Sequence, residues 1–349
     1  LERVEDPNLQ QCIQSQTAGQ TTAGDALRIN CNNQNIQSAS GLQAFVNLEE
    51  LNLSDKQFCD LTPLTILTGL RVLELASGSG CIKDISALTG LKKLERLNLH
   101  NNDVQDLTPL ANMPKLRELY LANNNLTSLS TLGTLNALEK LHVQNNALAE
   151  QSFLQFPNIS ELWANNLAIS NLPAFAAELP LTLQRLSLNN NRITDISALS
   201  GREALREIWV SQNRLTELRI SDVPKLHTIS ADYNEIVSFS VTNAPELYSY
   251  FLDQNLLSDL TDFAAFLRRQ PEQNGWRHHF SLRNNQISDL EPLSEVERLG
   301  LVNFGDNKIR DISPLKGKTS IYSLDLRNNE ISQIGDTFAD YPLNTNVSL

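Results

Sequence analysis

The amino-acid sequence predicts an α/β-type repeat solenoid, with a parallel sheet on its concave face and turns or short 3₁₀ segments on its convex face. A unit of the form L-x-x-L-x-L-x-x-N-x-L-x-x-L-x-x-L recurs about every 23 residues. Its third to seventh positions alternate in polarity, which is the pattern of a half-buried strand. Its ninth position is Asn in most copies. A single unit cannot bury its leucines alone, so we expect the units to stack.

The composition limits the classes of function. The chain has 349 residues, 41% hydrophobic and 19% charged, which is typical of a globular protein with a large core. The net charge of −12 disfavours nucleic acid and anionic membranes as partners. No apolar run approaches the ~18 residues of a membrane-spanning helix, so we expect no membrane insertion. The chain opens with Leu1, which a removed signal peptide or a trimmed start would each explain.

The repeats divide the chain into an N-terminal cap at residues 1–26 and a solenoid at residues 27–349. The solenoid contains thirteen repeats. Their first positions are Leu48, Leu70, Leu94, Leu116, Leu138, Ile159, Leu183, Leu205, Leu226, Leu247, Arg277, Leu299 and Ile321. The final "NTNVSL" predicts one further strand.

The ninth-position Asn marks the end of each strand. We expect its amide to bond backbone groups of its own turn and of the next, which would satisfy polar groups along the stack. The Asn residues are Asn102, Asn124, Asn146, Asn191, Asn213, Asn234, Asn255, Asn285, Asn307 and Asn329. The exceptions are Lys56, Gly78 and Leu167.

One long insertion interrupts the pattern after the tenth repeat. It predicts a short helix between Phe263 and Trp276 on the convex side or at an edge, capped by Thr261 or Asp262 and ended by Pro271 and Gly275. Phe263, Phe266 and Leu267 would lie on its buried side, with Arg268 and Arg269 solvated. The eighth to tenth repeats are shorter and lose the "PL" turn of the other units.

These patterns resemble the leucine-rich repeat family over about Leu27 to the C-terminus. The convex-side signatures "DLTPL", "DISAL", "DLEPL" and "DISPL" resemble the 22-residue repeats of the bacterial internalins. The segments "DPNLQQCIQSQ" and "LRINCNNQNI" are similar to the cysteine-bearing N-terminal caps of secreted bacterial repeat proteins. The resemblance implies a right-handed leucine-rich repeat horseshoe that is secreted, periplasmic or on the cell surface. An internalin carries a cysteine-free cap, so the resemblance does not carry over a partner.

The four cysteines Cys12, Cys31, Cys59 and Cys81 all lie in the first quarter of the chain. This clustering indicates two disulfides and an oxidising compartment. A zinc site is the alternative, but the spacing contains no C-x-x-C pair. We expect Cys12 to pair with Cys31, because the cap must cover the first strand. We expect Cys59 to pair with Cys81, because they fall at adjacent positions of neighbouring coils.

The sequence offers no catalytic or cofactor motif. It contains no glycine-rich phosphate loop, G-x-S-x-G elbow or H-E-x-x-H motif. The pair His278–His279 invites a metal interpretation, but adjacent strand positions point to opposite faces and no partner stands at ligand spacing. We therefore expect no enzyme, no metal and no cofactor.

Aromatic side chains mark the outward centre of the strands, at the fifth position of the repeat. They extend over about 30 Å of the concave face at the usual strand spacing. A solvent-facing aromatic stripe favours a protein interface, although aromatic residues also suit strands in general. The predicted partner-binding residues are Tyr120, His142, Trp163, Trp209 and Phe251, with Tyr233 and Tyr248 at the flanks. Alternating charges at the third position would form a ladder, from Arg96 through Glu118, Lys140 and Glu161 to Arg185.

The sequence therefore predicts non-catalytic protein–protein recognition by the concave face of a secreted or surface protein. One alternative is an adhesive module that binds carbohydrate, since aromatic platforms also suit sugars. The other is an intracellular adaptor of the same repeat class, which would carry four reduced cysteines.

Overall fold

The computed structural model describes residues 4–17, 22–77, 80–148, 156–270 and 278–349. By its contacts the chain divides into two compact units. Unit 1 comprises residues 1–167 and 178–183, and unit 2 comprises residues 168–177 and 184–349. Each unit is built from the predicted coils, and nearly every described coil adds one strand to a parallel sheet. The predicted class of repeat fold is confirmed.

The strands of unit 1 are three residues long and pair in parallel, in the order of the chain. The middle residue of each strand is buried, and its two neighbours lie on the opposite side of the sheet, as the alternation predicts. The strands are β1 (Arg28–Asn30), β2 (Glu50–Asn52), β3 (Val72–Glu74), β4 (Arg96–Asn98), β5 (Glu118–Tyr120), β6 (Lys140–His142) and β7 (Glu161–Trp163).

Unit 2 contains two parallel sheets. Its main sheet follows the order β8, β9, β11, β13, β14, β15, β16 and β17, and β10 pairs with β12 in the second sheet. The strands are β8 (Arg185–Ser187), β9 (Glu207–Trp209), β10 (Glu217–Ser221), β11 (Thr228–Ser230), β12 (Ser238–Thr242), β13 (Ser249–Phe251), β14 (His279–Ser281), β15 (Leu301–Asn303), β16 (Ser323–Asp325) and β17 (Asn346–Ser348). The strand predicted from "NTNVSL" is therefore present as β17.

Short 3₁₀ segments lie on the side of the coils opposite the strands, as the turn-rich signatures predict. The Asp that opens each signature accepts a hydrogen bond from the backbone N–H two residues later. The Asp106 Oδ1–Thr108 N distance, for example, is 2.8 Å. The segments are Ala23–Asp25, Leu42–Ala44, Thr62–Leu64, Ser86–Leu88, Thr108–Leu110, Ser130–Leu132, Ser197–Leu199, Glu291–Leu293 and Ser313–Leu315.

The buried Asn residues connect neighbouring coils by hydrogen bonds. The Asn124 amide donates to Leu121 O of its own coil and to Leu99 O of the preceding coil, each at 2.9 Å. Its Oδ1 accepts the N–H of Val104 at 3.0 Å. The sequence analysis expected bonds to the following coil, but the observed bonds go to the preceding coil. The Asn follows its own strand, so its side chain reaches back to carbonyls of the coil before it.

The predicted cap region contains α1 (Pro7–Gln16), which packs against β1. Asp6 caps this helix by accepting the N–H of Leu9 at 2.9 Å. Cys12 of α1 is disulfide-bonded to Cys31, with their Cα atoms 5.8 Å apart.

A second disulfide joins two neighbouring coils of unit 1. It connects Cys59 with Cys81, whose Cα atoms lie 5.3 Å apart. Both disulfides have the pairing that the sequence analysis predicts.

Unit 2 departs from the regular repeat on the side opposite its main sheet. The eighth and ninth coils, which lack the "PL" turn, carry β10 and β12 there in place of 3₁₀ segments. Two helices, α2 (Leu172–Ala177) and α3 (Thr261–Arg269), also replace the usual turn. In the part of the chain that the structure describes, each helix is too short to cross a membrane.

The predicted helix after the tenth repeat corresponds to α3, with different ends. The expected caps were wrong: Leu260 is the N-cap, and Asp259 accepts the N–H of Thr261 at 2.8 Å because it repeats the Asp signature of the regular coils. The buried face is as predicted, with Phe263, Phe266 and Leu267 each less than 5% exposed. The helix ends at Arg269, so the predicted stop residues Pro271 and Gly275, together with Trp276, lie outside the described residues.

Candidate functional site

Three of the predicted partner-binding residues lie side by side in unit 1. Tyr120, His142 and Trp163 are the last residues of β5, β6 and β7, and they are register partners across the sheet. We call the sheet surface that carries the first and last residue of each strand the outer face. Alternation along the strands places these side chains on that face, because the residues between them point into the core.

The three rings and His100 form a packed cluster, which we call the unit 1 cluster. His142 stacks on Trp163, with ring centroids 4.4 Å apart and an interplanar angle of 10°. Tyr120 meets the His142 ring edge-on at 4.7 Å, and His100 meets Tyr120 edge-on at 5.6 Å. Such contacts are each worth about 0.5–1.5 kcal/mol. The cluster is therefore organised before any partner arrives.

Exposure within the unit 1 cluster is uneven. Trp163 is 36% exposed, whereas His142 is only 8% exposed. The expectation that His142 is part of an open platform was therefore wrong, because Trp163, Tyr120 and Glu161 surround its ring. Trp163 presents the accessible surface, and His142 supports it from below.

Carboxylates hold the polar ends of the rings. Glu118 accepts hydrogen bonds from the hydroxyl of Tyr120 and from Nζ of Lys140, each at 2.7 Å. Glu161 lies 2.9 Å from Nε2 of His142. The guanidinium of Arg96 lies 5.0 Å from the centroid of the Tyr120 ring, within range of a cation–π contact.

The part of the predicted charge ladder from Arg96 through Glu118 to Lys140 is present in unit 1. Arg96 reaches Glu74 at 2.6 Å on one side and Glu118 at 3.2 Å on the other. Lys140 reaches Glu118 from the next strand at 2.7 Å. These opposite charges fix the side chains of the outer face in one arrangement, which supplies specificity more than affinity.

The histidines of the unit 1 cluster have lowered pKa values. Burial, with a smaller contribution from His142, lowers the pKa of His100 to about 4. Burial also lowers the pKa of His142, although the hydrogen bond and charge of Glu161 oppose this shift. Both imidazoles are therefore neutral at neutral pH, and the cluster presents an uncharged aromatic surface between charged side chains.

The predicted residues of unit 2 do not form one cluster. Trp209 ends β9 and Phe251 ends β13, and Ser230 on β11 lies between them in register. Tyr248 stacks on His227 with ring centroids 5.9 Å apart, and Phe251 meets His279 edge-on at 5.1 Å. Tyr248 and Phe251 are therefore each in direct contact with a histidine that the sequence analysis did not assign to the site.

Tyr233 has an unusual backbone for its residue type. It has a φ of 55°, in the left-handed region, and is 58% exposed. The same repeat position is Asn in most coils with this φ, including Asn190 and Asn284, and Asn tolerates it far better than Tyr. The fold therefore tolerates backbone strain at the residue that exposes a tyrosine ring.

The structure adds His100 and His279 to the predicted residues. His100 lies one outward position beyond the end of β4, and its Nε2 is buried with no hydrogen-bond partner in the described structure. One sequence signal could have placed His100 on the outer face: it lies two residues after Asn98, and alternate residues share a face. Its contact with Tyr120 could not be predicted locally, because Tyr120 lies on the next strand, 20 residues later in the chain.

The histidine pair lies on two sides of the sheet. His278 faces the buried Tyr250, with its Nδ1 3.2 Å from the tyrosine hydroxyl, whereas His279 lies against Phe251 on the outer face. Among the described residues, no group of three or more His, Cys, Asp or Glu side chains is placed to hold a metal ion.

Comparison with known proteins identifies the repeat. The family model for leucine-rich repeats in two copies matches residues 68–112 and 114–155. Mouse lumican is 28% identical over 184 residues, and bovine leucine-rich repeat-containing protein 23 is 23% identical over 176 residues. These matches cover 50% and 44% of this chain. The chain spans about half the length of each relative, 52% and 50% respectively.

Solved structures match nearly the whole chain. The internalin InlF of Listeria monocytogenes has a TM-score of 0.70 at 24% identity, covering 99% of this chain and 96% of the other. A leucine-rich repeat protein of Leptospira interrogans has a TM-score of 0.61 at 17% identity, covering 91% and 93%. The functional domain of InlJ from Listeria monocytogenes, which includes a cysteine ladder, has a TM-score of 0.59 at 20% identity, covering 93% and 72%. These likenesses establish the leucine-rich repeat fold.

Proposed function

We propose that this chain is a non-catalytic recognition module that binds a protein partner through the outer face of its sheet, the concave face of the predicted solenoid. Leucine-rich repeat proteins are generally scaffolds for protein–protein interaction. The observation that carries the proposal is the unit 1 cluster, in which Trp163 is presented on His142 and Tyr120.

The energetics of the unit 1 cluster suit an interface hot spot. Protein interfaces are enriched in Trp, Tyr and Arg, all of which occur here. The rings are already fixed by their mutual contacts and by Glu118 and Glu161, so binding them loses little side-chain entropy. Trp163 retains enough exposed surface to contribute burial energy on association.

Tyr233 supports the functional interpretation independently. Aromatic residues suit strands, so their presence on a sheet could be purely structural. Tyr233 is outside any strand, has a left-handed backbone and is largely exposed. Neither strand propensity nor core packing favours Tyr at this position, which leaves recognition as its advantage.

We further propose that the chain is an internalin-like protein that works outside the bacterial cytoplasm, in the periplasm, on the cell surface or as a secreted protein. The two disulfides support an oxidising compartment. The likeness to two Listeria internalins supports the same assignment. An intracellular adaptor would instead contain reduced cysteines, so thiol titration of protein taken directly from its native compartment discriminates between the two.

The binding proposal is tested with Trp163→Ala and Trp209→Ala. Proteins captured by the wild-type chain are identified after cross-linking, and the dissociation constant of each is then measured against both variants. We expect each variant to weaken binding by about tenfold or more, the usual effect of removing an interface anchor. The melting temperature should change little compared with a core substitution, since Trp163→Ala loses only the stacking contact with His142, worth about 0.5–1.5 kcal/mol.

The matched control is Ile66→Ala, which removes an exposed side chain from the opposite side of unit 1. Ile66 is 52% exposed and lies outside the strands, just after the 3₁₀ segment Thr62–Leu64. It should leave binding unchanged. Normal binding by both tryptophan variants would refute the proposed surface. Glycan-array binding that is lost in the same variants, without any protein capture, would replace the protein partner with a carbohydrate.

A further inference from the structure

A depression of about 430 Å³ lies on the outer face of unit 2, across β13 to β16. Its position follows from side-chain sizes along the strands. The last residues of the four strands are register partners, and the small Ser281 lies between Phe251 and Asn303. In the first-residue row, Ser323 is likewise small beside Leu301. The depression thus opens where small residues interrupt larger ones.

Ser281 lines this depression, and its side-chain hydroxyl is buried. It is 9% exposed, and its Oγ has no hydrogen-bond partner among the described residues. A buried hydroxyl without a partner is destabilising, so such groups are rare in folded proteins. A ligand that displaces the neighbouring side chains and donates a hydrogen bond to this oxygen would remove this penalty.

The charges around the depression favour a cation. Asp253 and Asp325 line it, and none of its lining residues, all of which the structure describes, is Lys or Arg. Arg283 is paired with Asp306 at 2.5 Å and Arg327 with Asp325 at 2.6 Å, so the carboxylate whose charge favours a cation is that of Asp253. Asp253 uses one oxygen to accept the N–H of Arg283 at 2.8 Å, and its second oxygen carries further acceptor capacity. A carboxylate or phosphate ligand would meet like charge here.

The apolar walls favour a cation on an aliphatic stem. Leu301 is 40% exposed, and the half-buried Phe251 ring lies against His279. Arginine combines an apolar stem with a planar guanidinium, which can stack on a ring while donating several hydrogen bonds. Lysine has a comparable stem but carries a compact ammonium that stacks less well.

We infer that the depression around Ser281 is a socket for an arginine side chain of the protein partner, with Asp253 and Ser281 as acceptors. The inference rests on the proposed function for the source of the arginine. The chemistry of the socket does not depend on it. Phe251, one of the predicted partner-binding residues, thereby acquires a specific role as a wall of the socket.

The test titrates the isotope-labelled chain with blocked tripeptides and follows its amide signals by NMR. Acetyl-Gly-Arg-Gly-amide should shift the amide signals of Ser281 and Asn303 with a dissociation constant in the millimolar range, as expected for one anchored side chain. The Lys analogue should bind more weakly, and the Gln analogue should cause no saturable shift.

Two variants locate the binding determinants. Asp253→Asn keeps the oxygen that accepts the Arg283 N–H and removes the charge, so it should weaken the Arg peptide by about fivefold or more. Ser281→Ala should also weaken the peptide, yet raise the melting temperature, because it removes the unsatisfied hydroxyl. The control Asp262→Asn alters an exposed carboxylate of α3 outside the depression and should leave peptide affinity unchanged.

Equal binding of the Arg and Gln peptides, or unchanged affinity in Asp253→Asn, would overturn the inference. The outcome is separable from that of the proposed function. If the Arg peptide does not bind specifically but Trp163→Ala still weakens partner binding, only the arginine assignment is refuted. If the Arg peptide binds as expected but both tryptophan variants bind the partner normally, only the proposed binding surface is refuted.

Discussion

At the residue scale, we expect a substitution at Tyr233 to have opposite effects on stability and on partner binding. Tyr233→Asn substitutes the residue that most coils carry at this left-handed position. We expect the free energy of unfolding to rise by about 1 kcal/mol, since Asn tolerates this conformation and Tyr does not. We expect partner affinity to fall in the same variant. Chemical denaturation and a binding titration on one preparation measure both effects.

The reciprocal change is the control. Asn190→Tyr places a tyrosine at the equivalent position of another coil, where φ is 54°. It should lower stability by a similar amount without improving binding. A Tyr233→Asn variant that binds normally would show that the exposed ring has no part in recognition.

Lys56 makes stability depend on pH. It occupies the ninth position of the first repeat, is 1% exposed and donates to Leu75 O at 2.8 Å. Burial lowers its pKa from 10.5 to about 8, an effect that the charge of Asp55 opposes. Above pH 8 the unfolded chain therefore binds more protons at this lysine than the folded chain does. The free energy of unfolding should rise between pH 8 and about 10, by on the order of 2 kcal/mol.

Lys56→Met should abolish this rise, because it removes the titrating group from the same buried position. Urea denaturation at a series of pH values measures it. Lys83→Met provides the matched control, since it makes the same substitution at a side chain that is 72% exposed. An unchanged pH slope in Lys56→Met would contradict the assignment.

At the element scale, we predict that α3 is a structural insertion that lies outside the proposed binding surface. Phe263 and Phe266 contact Phe239 of β12, with ring centroids 5.1 and 5.3 Å apart. The helix therefore covers the second sheet of unit 2 on the side away from the outer face. Phe266→Ala should lower the free energy of unfolding by about 3–5 kcal/mol, the usual cost of removing a buried Phe.

Partner binding should be retained in Phe266→Ala at temperatures where the variant is folded. Arg269→Ala, at the exposed end of the same helix, should change neither stability nor binding. A more extensive test replaces α3 with a regular "LTPLxxL" coil, which should also preserve binding. Loss of binding with an intact circular dichroism spectrum would place α3 in the interface.

At the scale of the whole molecule, the two disulfides secure the N-terminal coils, beyond which the stack relies on leucine packing and the Asn ladder. Peptide mapping without reduction should recover Cys12 linked to Cys31 and Cys59 linked to Cys81. Reduction should lower the stability of the N-terminal coils by a few kcal/mol per bridge. Local hydrogen exchange should therefore accelerate in unit 1 more than in unit 2. Free thiols or a Cys12–Cys59 peptide would refute the pairing.

The regular parts of the fold follow from the sequence because their determinants are local. Alternation over five residues places Leu97 in the core and Asn98 on the outer face, and the recurring Asp of the "DLTPL" signature marks each 3₁₀ segment. The fixed repeat length also aligns residues of adjacent coils, which is why the cysteine pairing and the row from Tyr120 to Trp163 could be predicted.

Tertiary structure decided the features that depend on the size and charge of side chains one coil away. His142 became a support rather than an open surface because Trp163 and Glu161 enclose it. His100 joined the unit 1 cluster through a ring on the next strand. The Ser281 depression exists because larger residues stand on the flanking strands. Repeat periodicity specifies which face a residue occupies, but only packing between coils decides how much of it a partner can reach.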